Sequence, residues 1–224
     1  MNTIGFDTKL AARIDHTLLK PDAGERNVLR LCDEAREYGF ASVCVNPSWV
    51  RLCVNVLRDS PSRVCTVVGF PLGAHRTDVK VREAELAAGD GATEFDMVLH
   101  VGRLREGDLA YVENDIASVV HAVRQGSEET VVKVILETCL LTETEIMEAC
   151  NIAVDAGADF VKSSTGFSTG GATIEAVRLM RETVGDSAGV KASGGIRDRE
   201  TALAMLDAGA SRIGASASVN IVRP

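Results

Sequence analysis

Four segments of this chain share one register. GFASVC from Gly39, GATEFD from Gly91, GADFVK from Gly157 and GASRIG from Gly209 each open on a glycine of the kind that closes a helix, then run into a β-rich stretch. Four residues past each glycine stands an apolar side chain: Val43, Phe95, Val161 or Ile213. Successive side chains of a strand point to opposite faces. If the apolar set faces a layer of helices, the next residues, Cys44, Asp96, Lys162 and Gly214, face the other way.

Further β-rich runs complete the series: residues 14–18, 42–45, 63–70, 93–98, 131–137, 159–164, 189–194 and 212–216, eight in all. Helical patterns such as VLRLCDEAREYG, DVKVREAELAAGDG, TETEIMEACNIAVDAG, ATIEAVRLMRETVG and RETALAMLDAG separate them. Eight strands alternating with helices predict a (β/α)8 TIM barrel, with a doubly wound α/β sheet as the main rival. The chain has 224 residues, 46% of them hydrophobic, and no linker or low-complexity stretch divides it, so residues 1–224 are expected to form a single domain. The four registered segments fall on strands two, four, six and eight, and alternate strands build one interior layer of such a barrel. That layer holds a thiol, a carboxylate, an amine and a gap, where an ordinary one holds Val, Ile and Leu.

A lysine is almost never fully buried without a partner. A salt bridge from Lys162 to Asp96 would satisfy one lysine, but it leaves unexplained the second, Lys191, on the adjacent strand seven. The two amines are expected to approach each other near the C-terminal mouth of the barrel. A neighbouring cation and partial desolvation both favour a neutral amine near pH 7, and a neutral amine attacks carbonyls to form a Schiff base. Cleavage of the adjacent carbon–carbon bond then leaves an enamine, and the proton relay this needs falls to Asp96, the carboxylate of the same layer.

The loops that follow are rich in glycine and hydroxyls: Ser163-Ser164-Thr165-Gly166, Ser193-Gly194-Gly195 and Gly214-Ala215-Ser216-Ala217-Ser218. Loops after strands seven and eight form the usual phosphate cradle of this barrel, so a phosphorylated ligand is expected there. Each alone would read as a tight turn. A formal net charge of −8 removes the footprint of a nucleic-acid binder and requires any anion to be held by local donors. Elsewhere alternatives stay open. Lys133 reads as a third interior lysine or as a partner for Glu137 or Glu94, and Asp15 and Thr17 as ligands of a substrate hydroxyl or as packing and capping residues. Glu94 and Arg212 read as a structural ion pair, and His16, His75 and His121 as solvated or satisfied side chains. Six cysteines without a CxxC pair and four histidines without HxH or HExxH predict reduced thiols and no metal. The opening MNTIGFDTKLAARIDHTLLK has no apolar run suited to a signal or a membrane span, so a cytoplasmic protein without a membrane partner is expected.

IDHTLLKPDA, FASVCVNP, VVGFPLGA, EFDMV, VKVILET, VKSSTGFSTGGAT, GVKASGGIR and RIGAS, in this order over nearly the whole chain, resemble the deoxyribose-phosphate aldolases of the short bacterial type. The resemblance implies a class I aldolase without metal or other cofactor. It would interconvert 2-deoxy-D-ribose 5-phosphate with acetaldehyde and D-glyceraldehyde 3-phosphate in deoxyribose phosphate catabolism. It implies Lys162 as the Schiff-base lysine, Lys191 as the lysine that tunes it, and Asp96 as the proton relay. Gly166, Gly194, Gly195 and Ser216 would hold the phosphate, and Cys44 would line the acetaldehyde side. The expected partners are the small sugar phosphate, acetaldehyde and further copies of the chain, in a dimer or tetramer.

Three departures stand out: His100 in DMVLHVG replaces a frequent asparagine, Ala217 removes one hydroxyl from the last loop, and the sequence stops at Pro224 where some relatives carry a longer tail. Two other functions fit the residues less well. A transaldolase-like Schiff-base enzyme would take a bulkier donor than the small residues around Lys162 favour, and a non-catalytic sugar-phosphate binder would have no use for paired lysines.

Overall fold

A computed structural model describes residues 5–125 and 129–223. Strands β1 (Ile14–Leu18), β2 (Ser42–Val45), β3 (Arg63–Val68), β4 (Glu94–Val98), β5 (Val131–Ile135), β6 (Phe160–Lys162), β7 (Gly189–Ser193) and β8 (Arg212–Ala215) pair in parallel in sequence order and close on themselves. The helices run on the outside: α1 (Thr8–Ala11), α2 (Glu25–Tyr38), α3 (Val50–Val56), α4 (Thr77–Gly89), α5 (Val101–Arg105), α6 (Leu109–Arg124), α7 (Glu143–Asp155), α8 (Ile174–Val184), α9 (Arg199–Asp207) and α10 (Ser218–Val222). This is the (β/α)8 TIM barrel; the doubly wound sheet is excluded by the closure of β1 onto β8. Among the described residues, no helix is long and apolar enough to cross a membrane.

Local signals set the helix ends. Thr142 and Glu145 form a reciprocal capping box on α7, Thr173 accepts from the Ala176 N–H at the start of α8, and Asp198 does the same for Thr201 on α9. Helix α6 lies outside the quoted sequence patterns. Its buried Val112, Ile116, Val119, Val120 and Val123 recur at helical spacing, but four of the five are valines, which also suit a strand.

The apolar set Val43, Phe95, Val161 and Ile213 is fully buried in the main core between barrel and helices. The opposite face of the strands fills the barrel in layers, and the pairing register shows how. Each interior residue of an odd strand pairs with one layer on the strand before and another on the strand after. Lys191 pairs with Lys162 and Arg212, Lys133 with Asp96 and Phe160, Cys65 with Cys44 and Glu94, and Asp15 with Gly214 and Ser42. Three layers of four result: Ser42, Glu94, Phe160 and Arg212; then Asp15, Cys65, Lys133 and Lys191; then Cys44, Asp96, Lys162 and Gly214 at the C-terminal end.

Candidate active site

Seven acidic and basic side chains occupy these layers, three carboxylates, three lysines and an arginine. Asp96 is their centre. Its Oδ1 accepts from Lys133 Nζ at 2.9 Å and from Cys65 Sγ at 3.2 Å; its Oδ2 accepts from Lys162 Nζ at 2.8 Å and Lys191 Nζ at 2.6 Å. Asp15 lies one layer deeper, with Oδ1 against Arg212 Nη1 at 2.6 Å and Ser42 Oγ at 2.8 Å, and Oδ2 in contact with Lys191. Glu94 pairs with Lys133 at 2.7 Å and with Arg212 at 3.5 Å.

Burial alone pushes the Asp96 carboxyl up, but the attraction of Lys133, Lys162 and Lys191 more than offsets it and holds the group well below the usual carboxylate range. Asp15 is likewise pushed up by burial and brought below its ordinary value by Lys191, Lys133 and Arg212. Lys191 runs the other way: burial lowers it, and Asp15 and Asp96 raise it above the ordinary lysine value. Burial also lowers Lys133, and Asp96 leads the groups that raise it well above normal. Lys133, Lys191 and Arg212 therefore remain cations beside Asp15 and Asp96.

A cavity of about 300 Å³ opens above the upper layer. Lys162 lines it, whereas Lys191 and Lys133 lie wholly beneath it and are sealed from solvent. Gly214 makes this arrangement possible: a Cβ there would stand 3.0 Å from Lys191 Cε, so the missing side chain is the space the second lysine occupies. Around the opening lie Gly166, Gly194, Gly195 and Ser216. The three glycines have φ of 84°, 89° and 81°, a region that L side chains rarely adopt. Among the described residues, the backbone N–H groups of these four donate to no protein acceptor. Lys20 and Arg197 also line the cavity, no carboxylate does, and neither cation forms an ion pair among the described residues. In a chain of net charge −8 this opening gathers unpaired donors and positive charge in one place.

The structure thus brings Lys162, Lys191 and Asp96 into contact and sets Thr17, Gly166, Gly194, Gly195 and Ser216 around one opening. Two expected substrate ligands lie elsewhere. Asp15 is fully buried in the middle layer and engaged by Arg212, Ser42 and Lys191, so it acts on the charge network and does not face the cavity. Cys44 is also fully buried, packed with Cys65, Val67 and Leu19, and does not line the cavity. Lys133 pairs with Glu94 and Asp96, while Glu137 turns to Thr165. His16 is satisfied by Glu34 and Ser218, and His100 caps α5 by accepting from the Arg103 N–H. Ala217 lies off the cavity wall, leaving Ser216 as the hydroxyl of that loop.

Lys20, Phe167 and Arg197 line the cavity unforeseen. They stand in loops, where strand alternation no longer says which way a side chain points. Cys44, Cys65 and Asp96 offer ligand atoms within 4.8 Å of one another, the donor set of a metal site. Lys133 Nζ already stands 2.9 Å from the Asp96 carboxylate and 3.5 Å from the Cys65 sulfur, and burial holds the Cys65 thiol protonated, so these residues do not fit a resident cation.

Residues 9–221 match the profile of the DeoC/LacD family aldolases. A deoxyribose-phosphate aldolase of Brevibacillus brevis is 59% identical over 209 residues, covering 93% of each chain. One from Caldanaerobacter subterraneus is 57% identical over 213 residues, 95% of this chain and 92% of that protein. The tetrameric deoxyribose phosphate aldolase of Aeropyrum pernix superposes with a TM-score of 0.88 at 36% identity, over 96% of this chain and 89% of that one. With a barrel of this register and a lysine beneath a glycine-rich mouth, the chain belongs to the DeoC/LacD family of aldolases.

Proposed function

We propose that this chain is a single-domain class I aldolase that cleaves 2-deoxy-D-ribose 5-phosphate reversibly to acetaldehyde and D-glyceraldehyde 3-phosphate, with Lys162 as the nucleophile. The observation that carries the residue assignment is that, of the three interior lysines, Lys162 alone reaches the cavity. The relatives named above support the substrate.

The phosphate lies against the free N–H groups of Gly166, Gly194, Gly195 and Ser216, with Lys20 and Arg197 supplying positive charge. This places the open-chain aldehyde toward Lys162. Lys162 is the amine that meets it, because Lys133 and Lys191 lie sealed beneath the cavity. Its nitrogen attacks C1, and the carbinolamine loses water to give an iminium. The iminium restores the positive charge of the ammonium it replaces, so its pairing with Asp96 Oδ2 persists.

Loss of the C3 hydroxyl proton then breaks the C2–C3 bond. The electron pair moves into the iminium, D-glyceraldehyde 3-phosphate departs, and an enamine remains. Protonation of the enamine at C2 and hydrolysis release acetaldehyde and regenerate the amine. Asp96, in contact with both Lys162 and Lys191, is the carboxylate through which protons pass at these steps. The Thr17 hydroxyl, which donates to the Asp15 carbonyl at 2.8 Å, keeps lone pairs to accept from a substrate hydroxyl. The chain is expected to assemble as a homo-oligomer, as its Aeropyrum pernix relative does.

The test is a cleavage assay on 2-deoxy-D-ribose 5-phosphate in the presence of a chelator, following both products. Equimolar acetaldehyde and glyceraldehyde 3-phosphate are expected. Turnover of a dihydroxyacetone donor in place of acetaldehyde would overturn the substrate assignment.

A further inference from the structure

Glu137 stands just past the end of β5 and takes no part in the chemistry above. Two independent features mark it. Its backbone lies in the left-handed region, at φ 59° and ψ 58°, the only described residue other than glycine with positive φ. A side chain there is strained where glycine would not be. Its carboxylate is also buried, 3% exposed, and directed at the loop after β6.

Glu137 Oε1 accepts from the Thr165 N–H at 3.2 Å, and Oε2 accepts from the Thr165 hydroxyl. That hydroxyl in turn accepts from the Phe167 N–H at 3.1 Å. Of three consecutive amides, the outer two are thus tied to side chains, and the middle one, that of the cavity-lining Gly166, is left without an acceptor among the described residues. We propose that Glu137 is a positioning residue that selects the Gly166 N–H as a donor to the phosphate of the substrate. The proposal rests on the anion-cradle reading of the mouth. It assigns the strained backbone of Glu137 a role: a glycine would relieve the strain but leave the loop undirected.

Glu137→Gly suits the local φ and is therefore expected to fold. Glu137→Gln keeps the reach and one acceptor oxygen while removing the charge. The full chain and both variants are compared for inorganic phosphate affinity by calorimetry, and for kinetics on 2-deoxyribose 5-phosphate and unphosphorylated 2-deoxyribose. Glu137→Gly is expected to weaken phosphate binding and raise KM for the phosphorylated sugar roughly tenfold, with kcat and turnover of 2-deoxyribose changed less than about threefold. Glu137→Gln is expected to recover most of the loss. Equal losses on both sugars, unchanged phosphate affinity in Glu137→Gly, or a Glu137→Gln variant as impaired as Glu137→Gly would overturn the proposal. The calorimetric ranking decides it even if the aldolase reading fails, because phosphate binding does not depend on turnover.

Discussion

Lys162 and Lys191 are paired directly across neighbouring strands and share one oxygen of Asp96, yet only Lys162 meets the cavity. Their roles separate on that difference. Lys162→Ala is expected to keep its circular dichroism spectrum and lose turnover by roughly a thousandfold or more, since neither of the other interior lysines reaches the cavity. Residual activity near the parent level would refute the assignment. Lys191→Leu removes a permanent cation beside Asp96. With that positive charge gone from the Asp96 contact, the activity profile is expected to move to higher pH and the maximal rate to fall. An unmoved profile would count against electrostatic tuning. Asp96, Lys162 and the gap at Gly214 were legible in the sequence because a helix-closing glycine fixed the phase of each even strand. Asp15 was not, because β1 follows no such glycine, and nothing in IDHTL says that its carboxylate meets Arg212 from the far end of the chain.

At the scale of elements, α4 and α6 are joined by a feature outside the active site. Lys80 and Asp115 are both fully buried and ion-paired, with Lys80 Nζ also donating to the Val98 carbonyl at 2.9 Å and Thr77 Oγ1 to Asp115 at 2.8 Å. Breaking such a pair leaves one charge uncompensated, so Lys80→Met is expected to lower stability to urea by about 3–5 kcal/mol. The double variant Lys80→Met with Asp115→Leu should recover much of the loss, and a strictly additive double variant would show that the pair is not coupled. Nothing in the sequence signals this contact, since both residues look like ordinary solvated positions of amphipathic helices. At β8, Gly214→Ala places a methyl group 3.0 Å from both Lys191 Cε and Ser193 Cβ. A cost of about 1–3 kcal/mol is expected, together with a loss of activity larger than that destabilisation explains, because the displaced side chain is Lys191.

Across the whole molecule, the interior charges define a pH window. Asp15 and Asp96 lie below their ordinary values in the folded chain, so their contribution is complete above the unfolded value near ~4 and is lost as pH falls through the folded values. Lys133 and Lys191 lie above theirs, so their contribution is complete below ~10.4 and is lost as pH rises through the folded values. His16 sets the inner acid edge. Burial pushes it down despite the Glu34 carboxylate at 2.7 Å, so the unfolded chain binds a proton first and stability declines as pH falls below about 6.5. Urea unfolding midpoints should therefore be flat from about pH 7 to 8 and fall toward pH 5, with the first part of that fall reduced in His16→Asn. Stability that rises from pH 7 to pH 5 would contradict the balance described here. The barrel, its upper layer and the neighbouring pair Lys162 and Lys191 were readable from strand phase and glycine placement, while the cations of the mouth, the Glu137 contact and the deep carboxylate network depend on loops and closure that strand phase does not encode.

If Lys162 is the amine that meets the carbonyl, borohydride reduction of the chain with acetaldehyde traps it there, and peptide mass mapping locates the product. One two-carbon ethyl adduct is expected, on Lys162, absent from Lys162→Ala. An adduct on Lys20 or Lys191 with Lys162 unmodified, or no adduct on the folded chain, would contradict this assignment of Lys162.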